Sequence, residues 1–283
     1  MDKERVLQYF PQAKWSNARP QRGEAVVKLV DGRYLTLGEG LSDRERFLLD
    51  LLQGEGTEGR QSPWRLFLDG KRSLPQPIAA LQFVQVRLWS DVEDEVRQAW
   101  RQTMADLLPN LVAWYASTAS DYVFVLEQSP YLDCREILRD TLAALEFDFG
   151  LRLTVFVGQV WPEEVATSWP QLFQQEEALF QEWCQAYNHS TLLQFSQLFL
   201  WSGRTYARLK TGVAQLVSKQ DLGDVIRALW AEGAVLTKTA QRLYIHRNTL
   251  QYRLDKWQEW TGLQLKELND LAVCYHAIID DEF

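Results

Sequence analysis

The feature that most constrains the fold is a helical spacing near the C-terminus. Leu250, Leu254 and Trp257 recur at i, i+4 and i+7, which stacks them on one face of an α-helix. Asn248, Thr249, Tyr252 and Lys256 then occupy the outward face, with Arg247, Gln251 and Arg253 at its edges. Two shorter helices are expected before it. Residues 221–230 place Leu222, Val225, Ile226 and Leu229 on one face and end at Glu232-Gly233. Residues 237–244 form the second, with a small Ala240 that admits a neighbouring helix and an inward Leu243. Ile245 bridges a short turn to the third helix, which starts near Arg247-Asn248. Two helices joined so tightly, the second displaying Arg, Asn, Thr and Gln, form a helix-turn-helix.

That polar row suits DNA. Arginine grips guanine O6 and N7 with two bonds, and Asn or Gln does the same for adenine N6 and N7. A packed three-helix bundle with a polar face produces a similar pattern. The net charge of −8 argues by itself against nucleic acid, because phosphate repels an acidic body. The charge is uneven, however. From Leu236 to Trp257 five residues are basic (Lys238, Arg242, Arg247, Arg253, Lys256) and only Asp255 is acidic. A positive window in an acidic chain is expected where one small module touches DNA; a solvated helix face has the same charge pattern.

Upstream there is more chain to place: 283 residues at about 150 per domain suggest roughly two domains. Residues 81–89 alternate as a strand, and residues 91–108 have helical spacing through Val92, Val96, Trp100, Met104 and Leu107. Residues 111–116 and 122–127 are strand-like runs around a hairpin at Ser117–Asp121. A helix over 133–149 and a strand over 151–157 complete a β-α-β-β-α-β order, the ferredoxin-like arrangement of an α+β protein. Residues 163–218 have helical period nearly throughout and read as a connector. Residues 1–78 are looser. Two short strands flank Asp31-Gly32, and Ser42 with Glu45 forms a capping box for a helix through Leu52. Polar or proline-containing stretches at 53–63 and 74–77 read as linkers.

Other chemistries find little support. Gly54, Gly56 and Gly59 match a dinucleotide fingerprint, but a helix precedes them and Glu55 and Glu58 would repel a phosphate. His189, His246 and His276 stand at no spacing that pairs with a nucleophile. Cys134, Cys184 and Cys274 are odd in number and far apart, which fits a reducing cytosol and offers no zinc spacing. No apolar run reaches the ~20 residues of a membrane span, and the charged start lacks the apolar core of a signal peptide. The expectation is a cytoplasmic protein with no membrane partner and no cofactor, and not an enzyme.

The run His246-Arg247-Asn248-Thr249-Leu250-Gln251-Tyr252-Arg253-Leu254 resembles the signature of the PucR-type C-terminal helix-turn-helix, flanked by Thr239-Ala240 and Thr261-Gly262-Leu263. The resemblance covers about residues 221–280. It implies a transcriptional regulator of the PucR and sugar-diacid (CdaR-like) families. Tyr244 stands where many other helix-turn-helix proteins have glycine, although PucR-type members commonly carry an aromatic there. The candidate DNA-contacting set is Lys238, His246, Arg247, Asn248, Thr249, Gln251, Tyr252, Arg253 and Lys256. Many such regulators also carry a degenerate GGDEF-like module before a helical linker. Here the hairpin reads Ser117-Thr118-Ala119-Ser120-Asp121, without the glycines of a cyclase, which implies sensing or dimerisation instead.

The expected organisation is an N-terminal mixed region with a sensory role (1–78), then a degenerate GGDEF-like, ferredoxin-like module (79–160), a helical connector (161–220) and the helix-turn-helix domain (221–283). The expected partners are operator DNA, a second copy of the chain and an unidentified small-molecule effector. Two alternatives stay open on sequence. One is a nucleotide-binding or cyclase-like enzyme with a DNA-binding tail. The other is a scaffold whose helix-turn-helix no longer touches DNA.

Overall fold

The computed structural model of the chain describes residues 14–16, 26–28, 34–36, 62–202 and 206–279. The chain divides into two units, residues 1–58 and 59–283. In the first, strands β1 (Lys14–Ser16), β2 (Val26–Lys28) and β3 (Tyr34–Thr36) form an antiparallel sheet in the order β1-β3-β2. β2 and β3 are the two strands expected around Asp31-Gly32, with Val26 opposite Thr36. β1 is additional, three residues being too few to show an alternation. The helix expected from Ser42 and Glu45 and the Gly54, Gly56, Gly59 segment lie outside the described residues.

The second unit opens with α1 (Pro63–Leu68), where proline occupies the first turn and its missing amide costs nothing. Then come β4 (Ala80–Leu88), α2 (Asp94–Leu107), β5 (Leu111–Ala116), β6 (Asp121–Glu127), α3 (Cys134–Phe149) and β7 (Leu153–Val157). This is the expected β-α-β-β-α-β order. The strands lie β5-β6-β4-β7, each antiparallel to its neighbours, which is the ferredoxin-like arrangement within an α+β fold. β4 is central and buried on both faces. Val84, Val86 and Leu88 share a cluster with Phe124, Leu126 and Val155, packed with Trp100 and Met104 of α2 and Leu138 and Leu145 of α3. Burying each such side chain contributes about 1.5–3 kcal/mol. Asp133 caps α3 by accepting from the Arg135 N–H at 3.0 Å, and Gly150, at φ 62°, ends it in the left-handed conformation.

The alternation of β4 sends Leu81 and Phe83 to the opposite face. There β8 (Trp161–Pro162) pairs with the start of β4, and a 3-10 turn over Glu163–Ser168 leads into α4 (Trp169–Ala186). Phe173 and Phe180 of α4 pack on Phe83 and Phe156, with ring centroids 4.7 and 5.7 Å apart. A strand interrupts the expected helical run. β9 (Thr191–Gln194) adds to the sheet parallel to β7, with Thr154 opposite Thr191. Thr-Leu-Leu-Gln reads equally as helix or strand, and the open edge of β7 decides.

The layer continues with α5 (Phe195–Trp201) and α6 (Ala207–Lys219). A Cβ on Gly212 of α6 would lie 2.8 Å from both Leu172 and Trp161, so only glycine admits this close approach. Among the described residues, no helix is long and apolar enough to cross a membrane.

Candidate nucleic-acid interface

Four helices build the C-terminal region: α7 (Gly223–Ala231), α8 (Leu236–Arg242), α9 (Arg247–Thr261) and α10 (Leu268–Ile278). Val225, Ile226 and Leu229 of α7 and Ala240 of α8 meet Leu250, Leu254 and Trp257 of α9 in the core. Leu243 and Ile245 pack partly buried against it. The expected spacing of Leu250, Leu254 and Trp257 therefore sets the buried face. α7 ends in left-handed backbone at Gly233, φ 60°, and Ala234, φ 61°.

The turn from α8 to α9 is closed by the main chain. The Tyr244 N–H donates to the Gln241 carbonyl at 3.1 Å, and the Ile245 N–H to that of Ala240 at 3.0 Å. Tyr244 adopts φ 52°, the conformation that glycine would favour at this position. α9 is capped by His246, whose Nδ1 accepts from the Asn248 N–H at 3.2 Å. The cap position therefore belongs to His246, and the Asn248 side chain is left free of that role.

The candidate residues divide by what holds them. Lys238, Arg247, Asn248 and Thr249 are exposed, and their side chains make no hydrogen bond or ion pair among the described residues. Tyr252 is 63% exposed, and the Lys256 ammonium lies 5.8 Å from its ring centroid. Lys256 also reaches Glu259 at 3.4 Å. Gln251 donates to Asp255, and Arg253 donates to the Asp221 carbonyl at 2.8 Å, tying α9 to the start of α7. Arg242 is paired with Glu232 at 2.9 Å. The first turn of α9 thus presents free polar groups, while Gln251 and Arg253 are partly engaged.

Sequence reasoning missed the other end of α9, where the helix meets the sheet module. Gln159, after β7, donates its side-chain amide to the Thr261 carbonyl at 2.6 Å and to the Val160 carbonyl at 2.9 Å. Gly262, φ 72°, ends α9 against the Tyr131 ring; a Cβ there would lie 3.0 Å from it. Arg135 of α3, held by Asp133, reaches the Gly262 carbonyl at 3.4 Å. Burial opposes the charge on Arg135, but the Asp133 carboxylate more than offsets it and raises the guanidinium pKa. Asp270 of α10 accepts from the Ser196 hydroxyl of α5 and from the Gln264 N–H. Burial raises the pKa of its carboxyl against both bonds. These groups line a cavity of about 20 Å³, room for about one water molecule.

Behind this seam lies Glu176 of α4, fully buried. Its Oε1 accepts from the Gln159 N–H at 3.0 Å and from Trp161 Nε1 at 2.9 Å, while Oε2 has no partner among the described residues. Burial pushes its carboxyl up to about 8, against the pull of those two donors. The 117–121 hairpin is tied both within itself and to its neighbours: Thr118 donates to Asp121 at 2.7 Å, Arg87 of β4 pairs with Asp121, and Ser117 donates to Glu177 of α4.

The PucR C-terminal helix-turn-helix domain family matches residues 222–279. A protein of Streptococcus dysgalactiae subsp. equisimilis named leucine-rich protein is 36% identical over 276 residues, covering 94% of this chain and 96% of the relative. The uncharacterized protein YxkF of Bacillus subtilis (strain 168) is 24% identical over 270 residues, 88% of each chain. The carbohydrate diacid regulator of Escherichia coli (strain K12) is 37% identical over 79 residues, 28% of this chain and 20% of that protein.

Proposed function

The chain belongs to the PucR/CdaR-like family of transcriptional regulators, and on that footing we propose that it binds operator DNA with α9 in the major groove. One observation carries this reading. Arg247, Asn248 and Thr249 stand exposed, and unpaired among the described residues, at the first turn of α9, immediately after the α8–α9 turn. In this motif the N-terminal residues of the second helix reach base edges. Tyr252 and Lys256 continue the outward face, Lys238 supplies a cation from α8, and His246, Gln251 and Arg253 flank the contact.

The partner is double-stranded DNA, read in the cytoplasm by two copies of the chain. Two helix-turn-helix units related by a two-fold read half-sites about 34 Å apart. Residues 221–283 act as the DNA-reading part, and the ferredoxin-like module of 79–160 with the 161–220 helices dimerises or senses an effector. Residues 1–78 add a further sensory segment. The protein acts by binding, without catalysis.

The full chain should select fragments from genomic DNA, and its log affinity should fall linearly with log salt concentration. Retention of no fragment overturns the reading, as does affinity independent of salt. Light scattering of the complex should show two copies per site; a single copy tightly bound to one half-site overturns the dimer.

A further inference from the structure

Tyr244 stands outside the residues so far assigned to DNA. It lies in the turn between α8 and α9, two residues before His246 and three before Arg247. Its φ of 52° is left-handed backbone, where a Cβ is disfavoured. Nothing in the fold offsets that cost. The side chain is 96% exposed and has no hydrogen-bond, ring or charge partner among the described residues. The two main-chain bonds that close the turn do not involve it, so glycine would close the turn as well. Strained backbone carrying an unpacked ring with a polar tip points to a contact made outside the chain.

The surroundings indicate the chemistry of that contact. Lys238 and Arg247 are exposed, and unpaired among the described residues, on the two helices that the turn joins, and the Glu232 carboxylate is taken up by Arg242 of α8. The local field is cationic and suits a phosphate oxygen.

We propose that Tyr244 contacts the sugar–phosphate backbone beside the groove that receives α9, its ring against a deoxyribose and its hydroxyl donating to a phosphate oxygen. This rests on the DNA-binding reading above. Such a contact positions the helix on the duplex without reading bases. The phenol is neutral, so it releases no counterion and leaves the salt dependence to the cations.

The test uses the full chain, labelled random-sequence duplex DNA and fluorescence anisotropy at low salt. Tyr244→Gly should melt no lower than the parent yet bind about tenfold more weakly, a loss typical of a hydrogen bond to a charged group. Its slope of log affinity against log salt should be unchanged, and Tyr244→Phe should fall between the two. Equal binding by the parent and Tyr244→Gly overturns this inference and leaves the DNA-binding reading standing. A parent that binds no duplex overturns both. A lowered melting temperature in Tyr244→Gly, or an altered oligomeric state without DNA, assigns the ring to the protein's own architecture and also overturns the inference.

Discussion

The side-chain amide of Gln159 donates to the main-chain carbonyl of Thr261 across 2.6 Å, joining the end of β7 to the last residue of α9. A residue of the sheet module therefore supplies a donor to the C-terminus of the proposed recognition helix. The same Gln159 presents its backbone N–H to Glu176, so α4, the sheet and α9 share one polar seam.

Gln159→Leu removes the donor and leaves a buried carbonyl without it. The expected cost is about 1–3 kcal/mol, the desolvation penalty of an unsatisfied group. Denaturant midpoints check the loss, and hydrogen exchange should show faster opening of the last turn of α9.

Stability should depend on pH through Glu176. Its carboxyl titrates at about 8 in the folded chain, against 4.5 ordinarily. Between those values the unfolded chain gives up the proton and the folded chain keeps it. Stability is therefore greatest below the lower value, falls as pH rises through the window, and levels off above the upper one. Glu176→Gln should flatten that part of a series of denaturation midpoints; an unchanged slope would show that another group is responsible.

His246 and Asn248 should separate cap from contact. His246→Ala removes the side-chain acceptor at the start of α9 and should cost about 1 kcal/mol of stability. Asn248→Ala should leave the melting temperature in place and weaken operator binding.

Arg247→Ala should keep the circular dichroism spectrum and the melting temperature while losing about 1–3 kcal/mol of operator affinity if the guanidinium reads a base. Parental affinity at matched salt would show that the recognition helix has been assigned wrongly.

Core and surface positions of α9 should fail differently. Leu250 is fully buried and Leu254 is 3% exposed, so truncating either to alanine should cost about 2–5 kcal/mol. Lys256→Ala should leave the fold intact, weaken binding to all sequences alike and reduce the salt slope by about one phosphate contact.

The elements legible in the sequence are those whose pattern is local. Leu81 to Leu88 read as a strand because β4 is the apolar centre of the sheet, with buried Phe83 and Val84 adjacent, and Leu250, Leu254 and Trp257 recur because one face of α9 is buried. The exposed row at Arg247, Asn248 and Thr249 follows from that same spacing. What escaped depends on partners far along the chain. Thr191–Gln194 becomes a strand only because β7 has an open edge, and Gln159 meets Thr261 across 102 positions. The cap of α9 escaped for a local reason: an imidazole nitrogen fills the acceptor role in which Ser, Thr, Asp or Asn is usual.

α10 packs against α6 and α5 as well as α7, and Asp270 ties it to Ser196. A chimaera that exchanges the chain at residue 221 would therefore leave α5 and α6 facing a foreign surface in place of α10. On the DNA-binding reading proposed above, altered operator choice is better sought by substituting the outward residues of α9 in situ than by transplanting the last sixty residues. Where whole segments are swapped, the donor should bring its own α5 and α6.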